Sequence, residues 1–170
     1  MVKANKGKST TRLAINSNLG FERDKLEKLL DACEGIELDL YTSNESWGRH
    51  ATYIRDGMDW DQWGSNVAYL LDSGKLRGLH IMCTINALCL FSLSELLWHI
   101  VELKREYGKD AINFTLNTLR FPRFQSPLIL PMEFREEACK QLVSVVHNCA
   151  EYMHEFEVEH INRLVTYLKK

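Results

Sequence analysis

The sequence predicts an α/β protein in which parallel strand–helix repeats are followed by C-terminal helices. Three observations lead to that fold class. Short β-type runs alternate with helical periods over residues 12–119, and strand, helix, strand joined by short connections is the pattern of parallel βα units. Beyond residue 131 only helical spacing is left. The 170 residues are 45% hydrophobic and 26% charged, the composition of one globular domain with room for a core, not of a disordered tail or a fibre.

The elements follow in order. Residues 12–16 form a brief apolar run that ends in polar residues and Gly20. The run from Phe21 to Leu30 has helical spacing and strong helix formers, with Gly35 as its stop. Residues 36–41 alternate apolar and acidic side chains and predict a strand, followed by a polar stretch from Thr42 to Gly48. A helix is expected over residues 59–71, ending near Gly74. The next strand is expected over residues 80–88, the next helix over 93–107 before Gly108, and the last clear strand over 111–119. Two of these strands share the pattern T-[I/L]-N-x-L, at Thr84–Leu88 and at Thr115–Leu119. Residues two apart on a strand share a face, so each Thr and Asn is expected on one polar face looking into a barrel or crevice. A pair of hydrogen-bonded core amides is the alternative.

Pro122, Pro127 and Pro131 all fall in one segment after the last strand. Proline removes a ladder donor and blocks helix interiors, so this segment is the best internal boundary. It divides residues 1–131, the βα segment, from 132–170, a helical extension. There Phe134, Ala138, Leu142, Val145, Cys149 and Tyr152, then Ile161, Leu164, Val165 and Leu168, recur at helical spacing. The polar faces of these two helices are expected to carry mostly solvated charge. Only four strands are visible, whereas a closed eight-unit barrel typically needs about 250 residues. The four units are therefore an open sheet or one part of a larger barrel.

Several function classes are excluded. Lys plus Arg is 21 and Asp plus Glu is 23, so 21 − 23 gives a net charge of −2. That lacks the basic excess of a protein that neutralises many phosphates, so no nucleic-acid partner is expected. No apolar run approaches the length of a membrane span, and the basic start leads into residues too polar for a signal peptide. A cytoplasmic location is expected. Cys33, Cys83, Cys89, Cys139 and Cys149 are odd in number and lack zinc or iron–sulfur spacing, so packed thiols are expected. Gly7-Lys8-Ser9-Thr10 resembles the end of a phosphate loop, but Val2 stands where its first glycine belongs and no strand precedes it. His147, His154 and His160 lack zinc-helix spacing, and the four tryptophans are expected to pack rather than to stack on bases.

In parallel α/β proteins ligands gather at the carboxyl ends of the strands. Those ends hold Asn16, Ser17 and Asn18; Thr42, Ser43, Asn44 and Glu45; Asn86; and Asn117 and Arg120. Amides and hydroxyls both donate and accept, which matches a diol, a purine edge or an amino-acid backbone. Arg55, just beyond the second strand end, is suited to a bidentate pair with a carboxylate. Taken singly, each of these residues is also what a turn or cap would use.

The run Tyr41-Thr42-Ser43-Asn44-Glu45-Ser46-Trp47-Gly48 through Ala51-Thr52-Tyr53-Ile54-Arg55-Asp56-Gly57 resembles radical S-adenosylmethionine proteins with SPASM or twitch extensions, in which a strand ending in S-x-E or S-x-D precedes G…A-E-Y-I-R-x-G. Ile15-Asn16-Ser17-Asn18-Leu19-Gly20 is similar to that family's T-N-G strand end. Met82-Cys83-Thr84-Ile85-Asn86-Ala87-Leu88 and Leu119-Arg120-Phe121-Pro122 resemble its following two strands. The likeness covers roughly residues 12–131. It implies a partial (β/α)6 barrel binding S-adenosylmethionine across its strand ends. Carried over, Ser43 contacts the ribose, Arg55 the methionine carboxylate, Asn86 the nucleoside and the backbone at Leu119 the adenine, with Asn18 on the same rim. Glu45 matches the family's acidic position and receives no role.

The departures matter as much. The family's C-x-x-x-C-x-x-C, which holds a [4Fe–4S] cluster, and its G-G-E motif are both missing, as is the cysteine-bearing extension. The first strand here corresponds to the family's third. The resemblance therefore implies the carboxyl-side part of the barrel. The cluster, and with it reductive cleavage of S-adenosylmethionine, comes from a missing N-terminal half or a partner chain acting on an unknown substrate. The alternative is a cluster-free α/β binding or scaffold module without catalysis, or an unrelated open sheet whose strand-end polar residues are turn chemistry.

Overall fold

The computed structural model describes residues 12–170. The Gly7-Lys8-Ser9-Thr10 run lies outside them. Four strands, β1 (Arg12–Ser17), β2 (Glu37–Ser43), β3 (Gly78–Ile85) and β4 (Ile112–Thr118), form one parallel sheet in the order β1-β2-β3-β4. Between them run α1 (Arg23–Ala32), α2 (Arg49–Ile54), α3 (Trp60–Ser73) and α4 (Leu93–Tyr107). Two 3-10 turns (Arg123–Gln125 and Pro127–Ile129) lead into α5 (Met132–Cys149) and, after a third turn, α6 (Glu155–Leu168).

Each strand lies beside the one before it, with no reversal of direction. Parallel crossovers are right-handed almost without exception, so connections that always step the same way put their helices on the same face. Side chains confirm which face that is. Leu38, Leu40, Leu79, Ile81, Cys83, Ile85, Ile112, Phe114 and Leu116 alternate along the strands, are buried, and join Leu26, Leu30, Trp63, Val67, Leu96, Leu97 and Ile100 in one core. Trp63 satisfies its buried indole by donating to Thr42 Oγ1 at 3.1 Å.

The opposite face is polar and open. The register sets Asn16, Tyr41, His80 and Asn113 side by side, then Ser43, Met82 and Thr115, then Thr84 and Asn117. Ala14, Asn16, Thr84 and Asn117 are exposed and the others half-buried. Parallel sheets are ordinarily covered on both faces. Here one face is left uncovered among the described residues.

The two sheet edges also differ. Along the outer edge of β4, Glu157 Oε1 of α6 accepts the backbone N–H of Phe114 at 3.0 Å. One turn on, His160 Nδ1 lies 3.2 Å from the N and 3.0 Å from the O of Leu116. Helix α6 thus occupies groups that a fifth strand would need. Glu157 Oε2 also accepts from the His154 N–H at 2.8 Å and from the Lys104 ammonium at 2.9 Å, with both side chains fully buried. The expectation of solvated polar faces on the terminal helices therefore fails at Glu157, which is a core residue. On β1, by contrast, the residues alternate between exposed and half-buried and none is buried.

Helix α4 matches its expected bounds, because a helix former run with a 3.6-residue apolar period ends at Gly108. Strand β3 begins two residues earlier and ends three earlier than expected, since Asn86 turns the chain out of the sheet. The polar stretch after β2 leads into a short helix not expected from the sequence, α2, entered through Gly48 at φ 58. Beyond the expected boundary at residue 131, Ala138, Leu142, Val145, Ile161 and Leu164 pack into the same core as the sheet. All five cysteines are free and buried, as expected of packed thiols. No helix among the described residues is long and apolar enough to cross a membrane.

Candidate functional site

The loops after the four strands all open at one edge of the sheet, because the strands are parallel. Asn18 follows β1, Ser43 ends β2, Asn86 follows β3 and Leu119 follows β4. Leu119 prolongs the ladder by donating its N–H to Ile85 O at 2.8 Å. Asn18, Ser43 and Arg55 line one small pocket of about 80 Å³ together with residues 56–59. Asn86 and Leu119 do not line it.

Much of the polar chemistry at this edge is spent on the loops themselves. Asn18 Oδ1 accepts from the Gly20 N–H at 3.1 Å, and Ser17 Oγ from the Leu19 N–H at 3.1 Å. Asn44 Oδ1 accepts from Ser46 N at 3.1 Å, and Asn86 Oδ1 from Leu88 N and Cys89 N at 2.8 and 3.1 Å. These are the Asx turns expected of asparagine after a strand. They tie up the amide oxygens and leave the amide nitrogens: Nδ2 of Asn18 and Asn86 meets no acceptor among the described residues, and Nδ2 of Asn44 is buried without one. The loop after β1 is held in turn by α3. Asn66 Nδ2 donates to Leu19 O and Phe21 O at 2.9 Å each, which secures Leu19 at φ 52, a region a branched side chain rarely enters.

Arg55 is not a free cation. Its Nη1 donates to Glu45 Oε2 at 2.8 Å, with the carboxylate buried and the guanidinium one-third exposed. Burial pushes the Glu45 carboxyl above its ordinary value, against the opposing pull of Arg55. A bound carboxylate would have to share Arg55 with Glu45 through the remaining guanidinium donors.

The expected Thr–Asn face is built differently from the sequence pattern. Thr84 pairs across the ladder with Asn117, and Met82 with Thr115, so the two T-[I/L]-N-x-L runs are offset by two residues and Asn86 lies beyond its strand. Asn117 is exposed, which also removes the reading as a buried amide pair.

A second polar constellation on the open face escaped the sequence reading. Asp39 is nearly buried and accepts from Arg77 Nε at 2.9 Å and from Arg77 Nη2. His80 Nε2 lies 3.3 Å from Asp39 Oδ1, its Nδ1 lies 2.8 Å from Asn113 Oδ1, and its ring stacks on Tyr41 at 4.4 Å. Gly78 makes the room, since a Cβ there would stand 3.1 Å from His80 Nε2. Burial raises the Asp39 carboxyl, but hydrogen bonds from Arg77 and His80 outweigh it and hold the group below its usual value. Both ring nitrogens of His80 are engaged, so the cluster orients polar groups on the open face and offers no free imidazole base. The sequence signal was the alternation Asp39, Tyr41, Ser43 in β2; which residues stand opposite on β3 and β4 was not in it.

A nucleoside cofactor and a cluster fit these residues unequally. The unclaimed amide donors of Asn18 and Asn86 suit a ribose or purine edge, whereas that of Asn44 is buried. The 80 Å³ pocket, however, falls well short of the roughly 300 Å³ or more that encloses a small-molecule ligand. A [4Fe–4S] cluster does not fit: among the described residues no group of three or more His, Cys, Asp or Glu is placed to hold a metal ion. Burial lifts the Cys83 thiol well above its ordinary value and Cys89 to about 12, the opposite of a ligating thiolate. No family model, curated protein or solved structure matches the chain. The class that fold and site define is therefore an α/β protein with a singly wound parallel sheet, open on one face, with a polar rim at its strand ends.

Proposed function

We propose that the chain is the carboxyl-side part of a partial (β/α)6 barrel that binds S-adenosylmethionine across its strand ends. It works only when an N-terminal part or partner chain bearing a [4Fe–4S] cluster completes it. The observation that carries this reading is the asymmetry of the sheet. Its strand order is compatible with a barrel segment, β4 is closed by α6, and among the described residues no strand pairs with the outer edge of β1 and the polar face is uncovered. A completing strand would pair with β1, and the open face would become the lumen. The small strand-end pocket supports the same view, because a ligand resting on Asn18 and Ser43 needs a further wall. Ser43 is assigned to the ribose, Arg55 to the methionine carboxylate, Asn86 to the nucleoside and the Leu119 backbone to the adenine, all on the resemblance described above.

The second reading, a cluster-free binding or scaffold module, is favoured by one observation: Arg55 already has a carboxylate partner in Glu45. S-adenosylmethionine binding separates the two when measured on the chain co-expressed with the product of the adjoining upstream reading frame, where C-x-x-x-C-x-x-C is expected. Saturable binding should weaken in Arg55→Ala by about 2–5 kcal/mol, the loss of a charge-assisted partner, and survive in Glu45→Gln. An upstream frame without the cluster motif, or a complemented protein that does not bind S-adenosylmethionine, refutes the proposal. Binding that is unchanged in Arg55→Ala leaves Arg55 as a structural ion pair and removes its assignment.

A further inference from the structure

We infer that the groove between the end of β4 and the outer face of α6 is an anion site for a phosphate-bearing ligand. The ligand's aromatic part would lie on Phe121 and Phe124. This goes beyond the reading above and does not depend on it. The groove has a volume of about 470 Å³ and is lined by Arg120, Glu159, Asn162, Arg163, Tyr167 and Lys170, among others. Arg120 follows Leu119 out of the sheet, Glu159, Asn162, Arg163 and Tyr167 share one face of α6, and Lys170 lies just past its end. The Arg120 guanidinium stands 5.6 Å and the Lys170 ammonium 5.4 Å from the centre of the Tyr167 ring. Tyr167 is pinned by a 3.1 Å hydrogen bond between its hydroxyl and Ser126 Oγ.

Three cations thus converge on one groove of a chain whose net charge is −2. Elsewhere Arg12, Lys28, Arg55, Lys75 and Arg77 each have a carboxylate partner. Among the described residues Arg120, Arg163 and Lys170 have none, as is also true of Arg23, Lys25, Arg49, Lys109, Arg123, Arg135 and Lys169, and Glu159, the one side-chain carboxylate in the lining, pairs with none of them. The side-chain amide of Asn162, which meets no acceptor among the described residues, adds a donor. Two guanidinium forks, an ammonium and an amide supply more donors than the two oxygens of a carboxylate accept, and they match the three terminal oxygens of a phosphate. The turn pinned to Tyr167 carries Phe121 and Phe124, 83% and 71% exposed. Neither ring lines the groove, but Phe121 adjoins Arg120 in the chain and Phe124 stands two residues before Ser126, which holds Tyr167. Large rings left in water mark a contact surface, and the phosphate's own substituent would cover them.

The test is titration of the full chain with inorganic phosphate and with phenyl phosphate, followed by amide chemical shifts. Both should saturate, with shifts centred on residues 120 and 159–170, and both should weaken as salt is raised. Phenyl phosphate should bind several-fold tighter. Arg120→Ala/Arg163→Ala should weaken both by about tenfold or more, and Glu159→Gln should strengthen both. Phe121→Ala/Phe124→Ala should abolish only the advantage of phenyl phosphate. These surface variants keep the core, and their far-ultraviolet circular dichroism should match the parent's. An absence of saturable phosphate binding, or binding that the double arginine variant leaves unchanged, overturns the site. Equal affinity for the two probes overturns the aromatic subsite. Because S-adenosylmethionine is not a probe here, neither failure bears on the proposed function.

Discussion

Lys104 and Glu157 illustrate what a single buried pair asks of its surroundings. Burial pulls the Lys104 ammonium below its ordinary value while Glu157 pulls it back, and the same carboxylate serves the Phe114 and His154 amides. Removing one member of such a pair strands the other charge, a cost of about 3–5 kcal/mol, whereas replacing both is far milder. Glu157→Gln should therefore lower the urea-unfolding free energy by about that amount, and Lys104→Met added to it should recover at least half. If the second change brings no recovery, the pair is not the source of the loss. Asp39 gives a prediction with a pH signature. Its carboxyl titrates below the usual 3.8 in the fold, so the stability it contributes is full above 3.8 and is lost as pH falls through the lowered folded value. Asp39→Asn should cost about 1–3 kcal/mol at pH 7 through its charged hydrogen bonds. The gap between parent and variant melting temperatures should close below pH 3.8; a gap independent of pH would place the effect elsewhere. Neither role was legible in sequence. Glu157 stands among the charged residues of an amphipathic helix, and Asp39 reads as the polar half of an alternating strand.

Among the elements, α6 acts as the cover of an edge strand. Exposed strand edges are sites of unwanted pairing that folded proteins block, and here two side chains one helical turn apart reach alternate amides of β4. Glu157 and His160 match the spacing of Phe114 and Leu116 because α6 lies along the strand. His160→Ala should cost about 1 kcal/mol and speed amide exchange at Leu116 more than at Phe114. Equal acceleration at both would show that the helix, not the histidine, protects the edge. In the parent, Phe114 and Leu116 should exchange more slowly than the outward-facing amides of β1. Helix α4 was readable to the residue because periodicity and its Gly108 stop are local. Helix α2 was not, since its six residues carry too little periodicity and follow a polar run, and β3 was misplaced because Asn86 serves its loop and not its strand.

For the molecule as a whole, the asymmetry of the sheet is the central property. Helices cover one face of the four strands and, among the described residues, leave the other uncovered, with exposed Asn16 and half-buried Tyr41, His80 and Asn113 in a row. The strand-end residues expected to meet a ligand do gather at one edge, yet only Asn18, Ser43 and Arg55 share a pocket, and Arg55 is held by Glu45. The sequence alone determined the βα alternation, the helical tail, the four strands and the packed thiols. Each of these is written in the spacing of apolar and turn-forming residues within a dozen positions, and burial reads that spacing out locally. Tertiary structure decided which edge is closed, which polar residues stand opposite one another, and which strand-end amides remain free. Those outcomes join residues such as His80 and Asn113, 33 apart, or Phe114 and Glu157, 43 apart. Register and helix packing place them together, and no local period encodes either.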